Sequence, residues 1–259
     1  MDTRLNEIIT FIEHDFKKNV VIEPEKRLPR LRESITDIIK TYNPGVIVKA
    51  GLGSGRVLYD MAAACNAYIV AVEPSLSVIE EFLSRHTGDP VIEKIRIING
   101  EFNSFPVDYF AADLIVCADY LDFLESGRVV DEFTRVLQFD GILLLAGVVL
   151  ADDDIEGVYD DFMKAAFPLH NDYYLREDLK TFMDLNDLKF IKGTFDHYPA
   201  DLGALSDYLS AFRAEAKERP LQFIEEKRDA FANLYKLADT SIAEPYYISV
   251  YMRKKPEKK

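Results

Sequence analysis

The sequence predicts a doubly wound α/β fold. Its sheet should have seven strands, mostly parallel, with N-terminal helices ahead of it and a helical insertion before the last strand. Three observations predict this. Strand-like and helix-like runs alternate from Val46 to Val149. Several of the strand-like runs are short and continuously apolar, as in parallel strands covered on both faces. Gly51, Gly53 and Gly55 follow the first of these runs directly, where such sheets turn from strand into helix and bind ligands.

The elements follow in order. Leu5, Ile8, Ile9, Ile12 and Phe16 have helical spacing over residues 3–18. Leu31, Ile35, Ile38 and Ile39 predict a second helix, stopped by Asn43-Pro44-Gly45. Residues 1–44 therefore read as a helical leader or cap, and 45–259 as the main domain. There, strands are expected at Val46–Ala50, Tyr68–Pro74, Ile95–Gly100, Ala112–Asp119 and Gly141–Val149. Helices are expected at Arg56–Cys65, Ser77–Arg85 and Val129–Leu137 between them. Further on, an acidic loop (Ala151–Asp161) enters a helix, and Leu175–Leu188 is amphipathic. Lys189–Tyr198 and Pro245–Lys254 read as strands, separated by helices at Leu205–Ala216 and Phe223–Ala238.

Composition narrows the function classes. The 259 residues carry a formal net charge of -14, so the chain has no general attraction to phosphate backbones or anionic lipid. The basic run from Arg253 to Lys259 reads as a solvated tail. The longest apolar run, Gly141–Ala151, is too short for a membrane span of roughly 20 residues. Cys65 and Cys117 lie in apolar surroundings, form no metal-ligand spacing, and read as buried free thiols. The N-terminus lacks the apolar core of a signal peptide. The expectation is a cytoplasmic protein with no metal, no nucleic-acid partner and no membrane association.

Three features fall at predicted strand ends. The glycine turn suits close backbone approach and feeds a helix N-terminus that favours anionic groups, although a tight turn without a ligand is also consistent with it. Glu73 ends the second strand, where an acid can accept hydrogen bonds from both ribose hydroxyls of an adenosine. Glu101 and Phe102, after the third strand, can accept from an adenine amino group and supply an apolar wall. Turn and acid together point to nucleoside binding.

The stretch Val46–Val149 resembles the class I S-adenosylmethionine-dependent methyltransferases, which have a Rossmann-like fold. "IVKAGLGSG" stands where that family has its glycine-rich motif, Glu73 where it has its ribose acid, and "GEFNSFPV" where it has the stretch after strand three. "LQFDG" (Leu137–Gly141) resembles its turn before strand five. The resemblance implies S-adenosyl-L-methionine as cofactor, a cofactor half at 45–150 and a substrate or lid half at 151–259. It implies that Lys49, Gly51, Gly53, Gly55, Glu73, Glu101, Phe102 and Ala118 contact the cofactor, with Cys117 and Asp119 near the sulfur.

Lys49 departs from the family, which usually has an acid there. A lysine would repel the cofactor's ammonium by about 1 kcal/mol if well solvated and by more if dry. Three readings stay open: Lys49 pairs with an acid such as Glu101 or Asp119, it pairs with the cofactor carboxylate, or the site no longer binds this cofactor productively.

On the acceptor side a small molecule is expected, with Asp119, Tyr120 and His170 as candidate catalytic groups and Asp122 as either a base or a helix cap. Leu209, Phe212, Phe231 and Tyr235 in the inserted helices read as packing against the sheet or across a homodimer rather than as pocket lining. The rival readings are a degenerate member that binds a nucleoside ligand or a partner without methyl transfer, and an NAD-dependent enzyme. The turn is G-x-G-x-G rather than G-x-G-x-x-G, which counts against the last.

Overall fold

In a computed structural model, which describes residues 3–212 and 219–256, one sheet runs through the molecule. Its strands are β1 (Val46–Ala50), β2 (Tyr68–Glu73), β3 (Ile95–Asn99), β4 (Ala112–Ala118), β5 (Leu137–Val148), β6 (Leu188–Asp201) and β7 (Ser241–Arg253). They lie in the order β3-β2-β1-β4-β5-β7-β6. The first five are parallel, and β7 runs antiparallel between β5 and β6. The predicted mixed sheet of seven strands is therefore observed.

The order reverses direction at β1. β2 lies on one side of it and β4 on the other, with Ala50 level with both Val72 and Cys117. A crevice opens beyond the carboxyl ends of the strands at such a switch point. Buried Ile47, Val48, Ile69, Val70, Ile115 and Val116 fill the sheet centre, which is why these runs are apolar on both faces.

Helices α1 (Thr3–Asp15) and α2 (Leu28–Tyr42) precede the sheet. α2 begins with Pro29 near its first position and ends at Asn43 in the left-handed conformation. Its Leu31, Ile35, Ile38 and Ile39 are buried, and so are Phe11 and Ile12 of α1. Phe11 packs against the rings of Phe123 and Phe167. The leader is thus continuous with the core and crosses the carboxyl edge of the sheet. α3 (Arg56–Ala64), α4 (Leu76–Arg85) and α5 (Ser126–Val136) cover the parallel strands.

The structure differs from the expectation in four places. The first helix ends at Asp15, because the Asp15 carboxylate turns back to accept the amides of Val20, Val21 and Ile22. "LQFDG" is not a free turn: β5 begins at Leu137, which pairs with Ala112, and Asp140 takes a positive φ inside the strand. The last inserted helix is two, α9 (Arg219–Glu226) and α10 (Arg228–Tyr235). α8 covers Leu202–Leu209, and the remainder of the helix expected to reach Ala216 lies partly outside the described residues. α6 (Val158–Ala166) and α7 (Arg176–Leu185) match the remaining expected helices. Leu209, Phe231 and Tyr235 are fully buried.

Candidate active site

The glycine turn forms as its sequence requires. Gly51, Gly53 and Gly55 all have positive φ, which a side chain would strain, and the turn feeds the N-terminus of α3. A Cβ on Gly51 would overlap the Tyr120 ring, and one on Gly53 would overlap the Glu23 carboxylate. Both neighbours therefore lie directly over the turn.

Lys49 is fully buried, and its partner is neither Glu101 nor Asp119. Its Nζ stands 2.7 Å from Glu23 Oε1 and donates to the Gly51 carbonyl at 2.9 Å. Glu23 belongs to the loop between α1 and α2. Its second carboxylate oxygen accepts from the Ser54 amide at 3.0 Å and from the Ser54 hydroxyl at 3.1 Å. The lysine thus stands inside the protein because the leader delivers an acid to it.

Glu73 ends β2 with no exposure. Its carboxylate accepts the amides of Leu52 and Ser75, both at 3.0 Å. Burial pushes its pKa up to about 7, against the opposing pull of those two N–H groups. Because the folded value lies above the unfolded one, the folded state holds the proton more tightly. Stability should therefore fall as pH rises from about 4.5 to 7 and level off above, by on the order of 3 kcal/mol. Denaturant titrations of the wild type and Glu73→Gln from pH 5 to 8 check this: the wild type should lose stability relative to the variant across that range. A pH-independent difference would contradict it. Ser75 caps α4 and donates to Glu13 of α1, so the leader covers this acid as well.

Glu101 is exposed, whereas Phe102 is buried and packs on the Tyr120 ring at 4.8 Å. Both border a small cavity of about 80 Å³ shared with Pro74, Phe123 and Leu124. Ala118 closes β4 and is buried. Cys117 is buried too, and burial pushes its thiol up to about 12, so it is no nucleophile at neutral pH.

Beyond β4 the chain places Asp119 at positive φ. Its Oδ1 accepts from Arg27 at 2.9 Å, and its Oδ2 accepts from the Glu23 amide at 3.0 Å and the Tyr246 hydroxyl at 3.3 Å. Arg27 also pairs with Glu244, which accepts from the Tyr159 hydroxyl at 2.7 Å. One guanidinium therefore serves two buried carboxylates. Glu244 is held below its usual range: burial works to raise it, but Arg27 and Lys26 outweigh that. Burial pushes Asp119 up to about 7, with Arg27 opposing.

Asp119, Arg27 and Glu244 border a half-enclosed chamber of about 330 Å³. Asp122, Lys26, Tyr173, Asp201 and Tyr208 complete its polar lining, and its apolar wall includes Val148, Met163 and Leu205. Asp122 lies in a short 3-10 turn (Leu121–Phe123) and caps no helix with its side chain.

Two candidate bases stand elsewhere. Tyr120 is buried over the glycine turn, its oxygen accepting the Gly53 amide at 3.3 Å, and burial holds its hydroxyl well above its ordinary pKa. It packs against Phe102 and Phe123 rather than bordering the chamber. His170 has a fully buried ring, with Nε2 2.7 Å from Asp160 and Nδ1 3.9 Å from Asp122. Burial works to lower its pKa, but Asp122 and Asp160 outweigh that and raise it. It backs Asp122 and does not face the chamber.

No motif in the sequence marks Glu23 or Arg27 as part of the site. The only sequence signal for them was indirect: a buried lysine needs an acid, and "EPEKR" supplies acids and bases between two helices.

Among the described residues no cluster of His, Cys, Asp and Glu could hold a metal ion, and no helix is long and apolar enough to cross a membrane. Residues 48–145 match a family model described as a methyltransferase domain. No curated protein gives a significant match. Among solved structures, the YcgJ protein of Bacillus subtilis is 18% identical with a TM-score of 0.70, covering 86% of this chain and 99% of its own. Geranyl diphosphate C-methyltransferase of Streptomyces coelicolor, solved with Mg2+, geranyl diphosphate and S-adenosyl-L-homocysteine, is 14% identical with a TM-score of 0.62, covering 97% and 99%. The [4+2]-cyclase SpnF is 13% identical with a TM-score of 0.57, covering 88% and 82%. At these identities the likeness shows the fold alone.

Proposed function

We propose that this chain, whose residues 48–145 match a methyltransferase-domain model, binds S-adenosylmethionine at the carboxyl edge of β1 and β2 and methylates a small molecule in the adjoining chamber. The observation that carries the reading is the joint placement of the glycine turn, Glu73 and Phe102 at the switch point, with a half-enclosed chamber beginning at Asp119.

At the cofactor's nucleoside end the residues are of the right kind but covered. Glu73 has no exposure and its carboxylate accepts two backbone amides, and Phe102 is buried against the Tyr120 ring. The leader and Tyr120 must therefore move before a nucleoside reaches them. Glu73 then offers a carboxylate beside the turn amides, and Phe102 offers an apolar face next to exposed Glu101. At the amino-acid end they fit once Glu23 and Tyr120 leave the turn, since both now lie over Gly51 and Gly53. The cofactor, when bound, supplies an electrophilic methyl group on a sulfonium.

The chain's own part is positioning and proton transfer. Asp119, with a pKa near 7, can take a proton from an acceptor at neutral pH and is held in place by Arg27 and Tyr246. Asp122 offers a second carboxylate on the same wall. Val148, Met163 and Leu205 give the acceptor an apolar seat.

Incubation with methyl-labelled S-adenosylmethionine and a panel of small amines, phenols, carboxylates and prenyl compounds tests this. Transfer to one class is expected, with Asp119→Asn lowering kcat by about 10²–10⁴-fold. No transfer to any acceptor, together with no binding of S-adenosylhomocysteine, would sink it.

The Glu23–Lys49 pair favours a second reading, in which the filled turn leaves a protein that binds a ligand in the chamber without methyl transfer. A chamber ligand bound equally well with and without S-adenosylhomocysteine, and never methylated, would support that reading instead.

A further inference from the structure

The loop between α1 and α2 does more than cover the turn. Glu23 takes a positive φ, rare for a glutamate, and its side chain has no exposure. Its backbone N–H donates to Asp119. Its carboxylate receives three separate partners: Lys49, the Ser54 amide and the Ser54 hydroxyl. That is how an anion binds at the entrance of a helix, and here the anion comes from the chain itself.

The rest of the loop is fastened at both ends. Asp15 accepts three amides from Val20, Val21 and Ile22 and one hydroxyl from Tyr208. Arg27 is tied to Asp119 and Glu244. Phe16 and Ile22 are buried between these anchors.

We propose that Glu23 is an internal competitor for the seat of the cofactor's amino-acid tail, and that Lys49 serves whichever carboxylate occupies that seat. This rests on the cofactor reading above. A ligand ending in a carboxylate can take over Lys49 and the Ser54 amide only when Glu23 leaves, so binding must carry residues 16–27 away from the turn. The positive charge at position 49 then has a reason. It is matched to a carboxylate, the leader's in one state and the ligand's in the other.

The competition predicts a difference between two probes. S-adenosylhomocysteine has the amino-acid tail, and adenosine lacks it. In calorimetry on the full chain, Glu23→Gln should tighten S-adenosylhomocysteine tenfold or more and leave adenosine within about twofold, since an amide is a weaker occupant beside a lysine. Glu23→Ala should do the same if its circular dichroism matches the wild type. Independently, saturating S-adenosylhomocysteine should speed hydrogen exchange at the amides of Val20, Val21 and Ile22 in the wild type, and adenosine should not. If S-adenosylhomocysteine binds the wild type but neither its affinity in Glu23→Gln nor those amides change, the competition is overturned while the cofactor reading stands. If S-adenosylhomocysteine binds no form of the protein, both fall together.

Discussion

Lys49→Met should lower the unfolding free energy by about 3–5 kcal/mol. The substitution keeps most of the side-chain volume but removes the only cation beside Glu23, among the described residues, in a place with no exposure for either group. It leaves the Glu23 carboxylate with only the Ser54 donors, and the Gly51 carbonyl without its donor. Removing one partner of a buried pair is costly because the other charge stays behind; replacing both can be nearly neutral. The double variant Lys49→Met/Glu23→Gln should therefore recover most of the loss, giving a strong coupling in a double-mutant cycle. Guanidinium denaturation of the four forms measures it. Additive losses would mean that the pair is not what holds the leader on the turn.

Arg27→Met should be comparably severe, with a loss of about 3–5 kcal/mol and a Tm lowered by about 10 °C at neutral pH. Arg27 is the group that lets Asp119 and Glu244 stand together in the interior, and its guanidinium lies 4.7 Å from the centre of the Tyr246 ring. Without it two carboxylates face each other across the chamber wall. The sign with pH follows. Arg27 holds Glu244 below its usual range, so the stability it confers is present above the unfolded pKa and is lost as pH falls through the folded one. The gap between wild type and variant should therefore narrow in acid. Thermal unfolding at pH 4 and pH 7 checks it, and an equal gap at both would contradict the assignment.

The sheet was legible because its signals are local. Runs such as Ile69–Val72 and Ile115–Cys117 are apolar on both faces, and three glycines mark the turn after β1, where all three take positive φ. The end of β2 placed Glu73 without help from the rest of the chain. What stayed hidden is non-local. Nothing near Lys49 in sequence shows that its partner lies 26 residues earlier, in a loop whose path depends on Asp15 gathering three amides. Arg27 and Glu244 are 217 positions apart and meet only because β7 inserts beside β5. The same reason places Tyr120 and His170 away from the chamber. Their neighbours in sequence place them near the strand ends, but the leader and α6 decide that one ring lies over the turn and the other behind Asp122.

A crystal structure of the protein with S-adenosylhomocysteine tests the central claim most directly. The account predicts the ribose hydroxyls on Glu73, the ligand's carboxylate on Lys49 or the Ser54 amide, and Glu23 withdrawn from both. A structure grown with saturating ligand in which Glu23 still pairs with Lys49, and no nucleoside lies between Gly51 and Glu73, would contradict it.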